Sequence, residues 1–171
     1  MQDNYKTERL ELNKLSPDDV DFIFELVNTP GWLRFIGDRN VRTKEDAAGY
    51  IQKILGLPGI HYRVVKLAAE QVPVGVVTFI QRDYLEHPDI GFAFLPQYAK
   101  QGYAFEASRE VLHDLCSADK NPVVLATTIK DNTASIQLLT KLGFGFRNEI
   151  RIGADTLHVY TITADRLNKA Q

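Results

Sequence analysis

The sequence predicts one mixed α/β domain whose sheet is mostly antiparallel and carries a single parallel strand pair. Three observations predict it. Along the 171 residues, runs rich in β-branched and aromatic residues alternate with segments of helical period. Three of these runs, HYRVVKLAA, VPVGVVTFI and DIGFAFLP, follow one another across short turns, as an antiparallel meander does. A strand, a helix and a near-continuous apolar strand then come in succession, which is the order of a βαβ crossover.

The first strand lies in TERLELNKL, where Leu10, Leu12 and Leu15 alternate loosely with polar neighbours. Ser16, Pro17, Asp18 and Asp19 supply a capping hydroxyl, a residue suited to a first turn, and acids for the positive end of a helix. Val20, Ile23, Phe24 and Val27 follow at helical spacing, and the helix stops near Thr29, Pro30 and Gly31. A second helix starts at Thr43, with Asp46 three residues on, turns Ala47, Tyr50, Ile51 and Ile54 inward, and closes at Gly56. Between the two helices, GWLRFIGDRN reads as irregular, with Trp32, Phe35 and Ile36 either packing or walling a pocket.

The meander follows, its first two strands joined at Glu70 and Gln71 and its third preceded by the turn Leu85, Glu86, His87, Pro88. A third helix sets Ala104, Ala107 or Ser108, Val111, Leu112 and Leu115 on one face. Asn121 and Pro122 end that region, and residues 123–129 form a buried strand parallel to DIGFAF. Asp131 or Asn132 caps a fourth helix, with Ser135, Leu138, Leu139 and Leu142 inward and Gly143 as its stop. GFGFRNEIRIG and TLHVYTIT close the chain as a hairpin hinged at Gly153, Ala154 and Asp155. The expected order is βααβββαβαββ, in one domain over residues 1–171.

Composition narrows the function classes. A formal net charge of -2, with Lys and Arg scattered, leaves no electrostatic footprint for nucleic acid. No apolar run is long enough to span a bilayer, so no membrane partner is expected. A lone cysteine and an N-terminus without the layout of a signal peptide point to the cytoplasm. The four histidines lie far apart, so no metal site is expected.

The stretch FLPQYAKQGYAFEA carries the chemistry. A loop that enters a helix leaves first-turn N–H donors unpaired and aimed at one spot, with the positive helix end behind them. Gly102 lets the backbone approach an anion, Ala104 keeps the turn uncrowded, and Lys100 adds a charge. From these residues alone, the loop is either an anion cradle or a tight turn that needs a glycine. Neither G-x-x-x-x-G-K-[ST] nor G-x-G-x-x-G is present, which counts against ATPase and dinucleotide readings.

IGFAFLPQYAKQGYAFEA (residues 90–107), NTASIQLLTKLGF (residues 132–144) and the opening TERLEL together resemble the GNAT superfamily of acyl-CoA N-acyltransferases. Within it, they resemble the RimJ/RimL-like branch of ribosomal-protein N-terminal acetyltransferases. The family's phosphate loop is commonly [QR]-x-x-G-x-[GA]; here Ala99 leads it, which puts a side-chain contact from that position in doubt. The resemblance implies a sheet whose fourth and fifth strands splay around acetyl-CoA. It implies that Phe94 and Leu95 offer backbone groups to the pantetheine arm. Lys100, Gln101, Gly102, Tyr103 and Ala104 would cradle the pyrophosphate, Asn132 would hydrogen-bond the cofactor, and Ser135 would sit near the thiol. The acceptor it implies is an amine, of a protein N-terminus or a small molecule, and a homodimer stays open.

Direct acetyl transfer needs a neutral amine, a stabilised oxyanion and a proton for the leaving thiolate. Ser135 is the candidate near the thiolate, unless its hydroxyl bonds back to the helix. Asp89, at the start of the fourth strand, is the candidate base, unless it only accepts a backbone bond; His87 is an alternative. Cys116 falls mid-helix without a histidine partner and is not expected to be a nucleophile. Tyr103 and Glu106 are expected to be structural, and alternation does not decide which face Tyr160 takes. An acyl-CoA-binding regulatory domain and a nucleotide-binding protein are the competing functions.

Overall fold

The structure, a computed structural model, describes residues 2–116 and 121–169. Its elements are β1 (Asn4–Lys6), β2 (Leu10–Lys14), α1 (Val20–Val27), α2 (Pro30–Phe35), α3 (Lys44–Gly56), β3 (Ile60–Leu67) and β4 (Pro73–Ile80). There follow β5 (Asp89–Phe94), α4 (Tyr103–Cys116), β6 (Val123–Thr128), α5 (Thr133–Lys141), β7 (Gly145–Ile152), β8 (Asp155–Thr163) and α6 (Ala164–Lys169). The strands form one sheet in the order β1-β2-β3-β4-β5-β6-β8-β7, antiparallel except for β5 beside β6. The expected order is contained in this string, and three short elements are additional.

Each addition has a reason for its silence. β1 has three residues and buries only Tyr5, too few to show alternation. α2 replaces the expected irregular segment: the Thr29 hydroxyl accepts from Trp32 N–H and Pro30 opens the turn. Its six residues contain Gly31, which hides the period. α6 is equally short. In α1 the inward face also differs from the expected one. Phe22 and Leu26 are buried with Ile23 and Val27, whereas Val20 and Phe24 pack at the margin.

The caps fall where their residue types place them. Thr43 and Asp46 exchange bonds with each other's backbone at the start of α3, and Ser16 and Asp19 do the same before α1. Gly143, at φ 96, ends α5.

Strand alternation splits the core into two layers. Val64 and Val76 face α1 and α3 together with Ile23, Leu26 and Ile51. Their neighbours Val65 and Val77 face α4 and α5 together with Val111, Leu112 and Leu139. Truncating one of the fully buried leucines or isoleucines to alanine costs about 2–5 kcal/mol.

The crossover through α4 leaves β5 and β6 barely joined. Their ladder has one registered pair, Asp89 opposite Leu125, with Leu125 N–H donating to the Pro88 carbonyl at 3.0 Å. Beyond that pair the strands part. No helix among the described residues is long and apolar enough to cross a membrane.

Candidate active site

The parting strands create an open backbone edge. Leu95 N–H donates to the Val74 carbonyl at 2.9 Å, so Leu95, Ala93 and Gly91 turn their backbone groups to β4. By the same alternation Phe92 and Phe94 turn theirs toward the gap. This divides the expected pair: Phe94 offers free backbone groups, Leu95 does not, and Phe92 joins Phe94. The Leu95 side chain is buried against the α1 and α3 layer.

The gap leads to the start of α4. A short 3-10 turn (Pro96–Tyr98) is followed by Lys100 at φ 61 and Gly102 at φ 84, both left-handed. Glu106 N–H donates to the Gly102 carbonyl at 3.0 Å, which makes Gly102 the residue just outside the helix. Gly102 has no side chain to cap the first turn. The N–H groups of Tyr103, Ala104 and Phe105 have no acceptor among the described residues. Three convergent donors at a positive helix end fit a phosphate.

Arg9 holds this loop from behind. It donates to the Gln101 carbonyl at 3.1 Å, pairs with Glu106 at 2.6 Å, and lies 4.6 Å over the Tyr103 ring. Thr7 adds a 2.6 Å bond to Glu106. Burial raises the Glu106 pKa, and the bonds from Thr7 and Arg9 more than reverse it, leaving the group below the usual carboxylate range. Glu106 and Tyr103 are thus braces, as expected. A Cβ on Gly102 would stand 3.3 Å from Arg9 Nη2, so the loop has little room for a side chain on that side. Lys100 and Gln101 are exposed at its tip, and Gln101 also donates to the Gln97 carbonyl at 3.2 Å.

On the other side of the gap, Asn132 caps α5 by accepting from Ser135 N–H at 3.2 Å. That bond uses Oδ1 and leaves the amide nitrogen for a ligand. Among the described residues the half-buried Ser135 hydroxyl bonds to no helix carbonyl.

Asp89 is 3% exposed at the closed end of the gap. Arg82 Nε lies 3.0 and 3.1 Å from its two oxygens, and the Thr127 hydroxyl donates to it at 3.2 Å. Burial raises its pKa, opposed by the Arg82 charge and by bonds from Arg82 and Thr127. His87 lies half-buried in the turn before β5. Tyr160 packs in the α4 and α5 core at 6% exposure. Burial pushes the Cys116 thiol up, which leaves it a poor nucleophile.

A family model described as Acetyltransferase (GNAT) domain matches residues 9–145. The chain belongs to the GNAT acetyltransferase family. The uncharacterized N-acetyltransferase YoaA of Bacillus subtilis (strain 168) is 26% identical over 145 residues, 81% of each chain. A solved GNAT-family acetyltransferase from Bacillus anthracis has a TM-score of 0.80 at 26% identity, covering 95% of this chain and 99% of its own. The ribosomal-protein-S5-alanine acetyltransferase of Vibrio fischeri shares the fold, with a TM-score of 0.79 at 18% identity over 95% of this chain and 97% of its own.

In this GNAT acetyltransferase the residues missed at the sequence level are Arg9, Arg82, Thr127 and Phe92. Arg82 carried a weak signal: it directly follows the strand run VVTFIQ and is opposite in charge to Asp89. The other three are recruited from other strands or by register, which local spacing does not report.

Proposed function

We propose that the protein is an N-acetyltransferase that takes acetyl-CoA and passes the acetyl group directly to a primary amine. The observation that carries this reading is the continuity of the unpaired edge at Phe92 and Phe94 with the uncapped start of α4. An extended amide chain can pair with the first as an added strand does, and a pyrophosphate can settle on the second. Phe94, Lys100, Gln101, Gly102, Tyr103 and Ala104 therefore hold acetyl-CoA, mostly through backbone groups, with the Asn132 amide opposite.

The reaction forms a bond from the amine nitrogen to the thioester carbon, gives a tetrahedral oxyanion, and breaks the carbon–sulfur bond. The Ser135 hydroxyl donates a hydrogen bond to the departing thiolate, which takes its proton from water and leaves as the thiol. Asp89 receives the amine proton through water: a buried carboxylate with a raised pKa gains from being neutralised, although Arg82 resists. With Asp89 in this role, kcat/KM rises as pH passes its raised pKa, and Asp89→Asn flattens that limb.

The acceptor in this reading is a protein N-terminus or a small-molecule amine. RimJ/RimL-like motifs favour the former, whereas the match to the S5-alanine enzyme is one of fold. The test is acetyl transfer to a panel of peptides and small amines, read by thiol release and product mass. Transfer to at least one primary amine is expected. Acetyl-CoA binding without thiol release on any acceptor would instead mean a binding domain that has lost catalysis.

A further inference from the structure

The two outer strands end the sheet in different ways. β1 has three residues, too short an edge to pair with. β7 has eight, pairs with β8 on one side only, and leaves the backbone groups of its other side open. Sheets commonly blunt such an edge with a bulge, a proline or charges that repel a neighbour. The β7 bulge falls between Phe146 and Asn148, and residues 148–152 then run in unbroken register to the hairpin turn. This stretch holds no proline, and its charges suit a second copy of itself.

The turn decides which groups are open. Ile152 and Asp155 flank a two-residue turn with Gly153 at φ 60, so they are a pair that exchanges N–H and C=O bonds. Alternation then turns the backbone of Ile150 and Asn148 to β8 as well, and that of Arg151 and Glu149 outward. Side chains alternate too. Glu149 and Arg151 share one face, both exposed. Glu149 pairs with His158 at 2.9 Å, whereas Arg151 has no ion-pair partner among the described residues. Ile150 lies on the other face, half-buried in a cluster with Leu85, Leu125 and Val159 to which no helix contributes.

A two-fold axis through Ile150 meets all of these conditions. It sets Glu149 opposite Arg151 of the second copy, where their outward N–H and C=O groups exchange bonds and their side chains carry opposite charges, and it repeats that pair. Ile150 meets Ile150 of the second copy as the closer, non-hydrogen-bonded kind of pair, and the apolar cluster continues across the axis. Moving the axis by one residue either way sets Glu149 against Glu149 or Arg151 against Arg151, which repel. The same two charges thus select one register and reject its neighbours.

We propose that β7 is a self-pairing edge: two copies of the chain join antiparallel along it and make one continuous sheet across a two-fold axis at Ile150. This pairing is independent of acetyl transfer.

The test uses the full chain in sedimentation equilibrium at micromolar to submillimolar concentrations. A dimer is expected, at the weak end of specific association because a strand edge buries little surface. Arg151→Glu and Glu149→Arg each set like charges opposite each other at two symmetric places, and each should weaken the dimer by about tenfold or more. The double exchange, Glu149→Arg with Arg151→Glu, should restore most of that loss. Circular dichroism should show the same fold in all three variants, since both side chains are exposed. In the unaltered protein, amide hydrogen exchange should slow with rising concentration at Glu149 and Arg151, and stay independent of concentration at Ile150, whose N–H is already bonded to β8. A monomer throughout the range overturns the proposal. So does a dimer indifferent to the single reversals, one that the double exchange does not restore, or one that forms without protecting Glu149 and Arg151.

Discussion

The two sides of the gap between β5 and β6 are built differently. Along its open edge the groups are backbone: the edge of Phe92 and Phe94, and the first-turn N–H donors of α4 behind Gly102. At its closed end they are side chains from three separate segments: Arg82, Asp89 and Thr127. A backbone site depends on conformation and tolerates most side chains at its positions. A side-chain site depends on each partner, so a single substitution leaves another group unpaired.

Substitutions should separate these two modes, the largest effect coming from the backbone side. Gly102→Glu puts bulk and negative charge into the anion cradle at a left-handed residue. Acetyl-CoA affinity should fall by about a hundredfold or more, as titration calorimetry would register. Unchanged affinity would move the cofactor elsewhere.

Next is the pair at the closed end of the gap. Arg82→Met strands the Asp89 carboxylate in the core and should cost about 3 kcal/mol in urea unfolding. Asp89→Asn leaves Arg82, a third exposed, within reach of water, and should cost only about 1 kcal/mol. Equal costs would mean that burial does not control this pair.

Ser135→Ala should lower kcat by about tenfold without changing the KM for acetyl-CoA, and shift stability by less than about 0.5 kcal/mol. Equal losses in kcat and in acetyl-CoA affinity would make Ser135 a binding residue. The smallest effect belongs to Lys100→Ala, at the exposed tip of the loop. It should weaken acetyl-CoA by about two- to fivefold at low salt, and salt should erase the difference.

What could be read from the sequence follows the same division. Gly102, Asn132, Gly143, Thr43 and Asp46 announce themselves because capping and left-handed turns are local and limited to few residue types. The meander and the βαβ crossover were legible because period and length report them. β1 and α2 were not, since three and six residues do not complete a pattern. Leu95 was assigned to the cofactor edge, although its N–H belongs to Val74. Only pairing register decides which residues of a strand face which neighbour, and register is a long-range property. The Arg82–Asp89 pair and the Arg9–Glu106 brace were invisible for the same reason: each joins residues that only the fold makes neighbours.

Residue-resolved amide hydrogen exchange, with and without acetyl-CoA, tests the backbone site most directly. The expected result is new protection at Phe92, Phe94, Tyr103, Ala104 and Phe105, with Leu95 equally protected in both states because its N–H is already bonded. Protection confined to other segments, or none along the β5 edge and the first turn of α4, would contradict it.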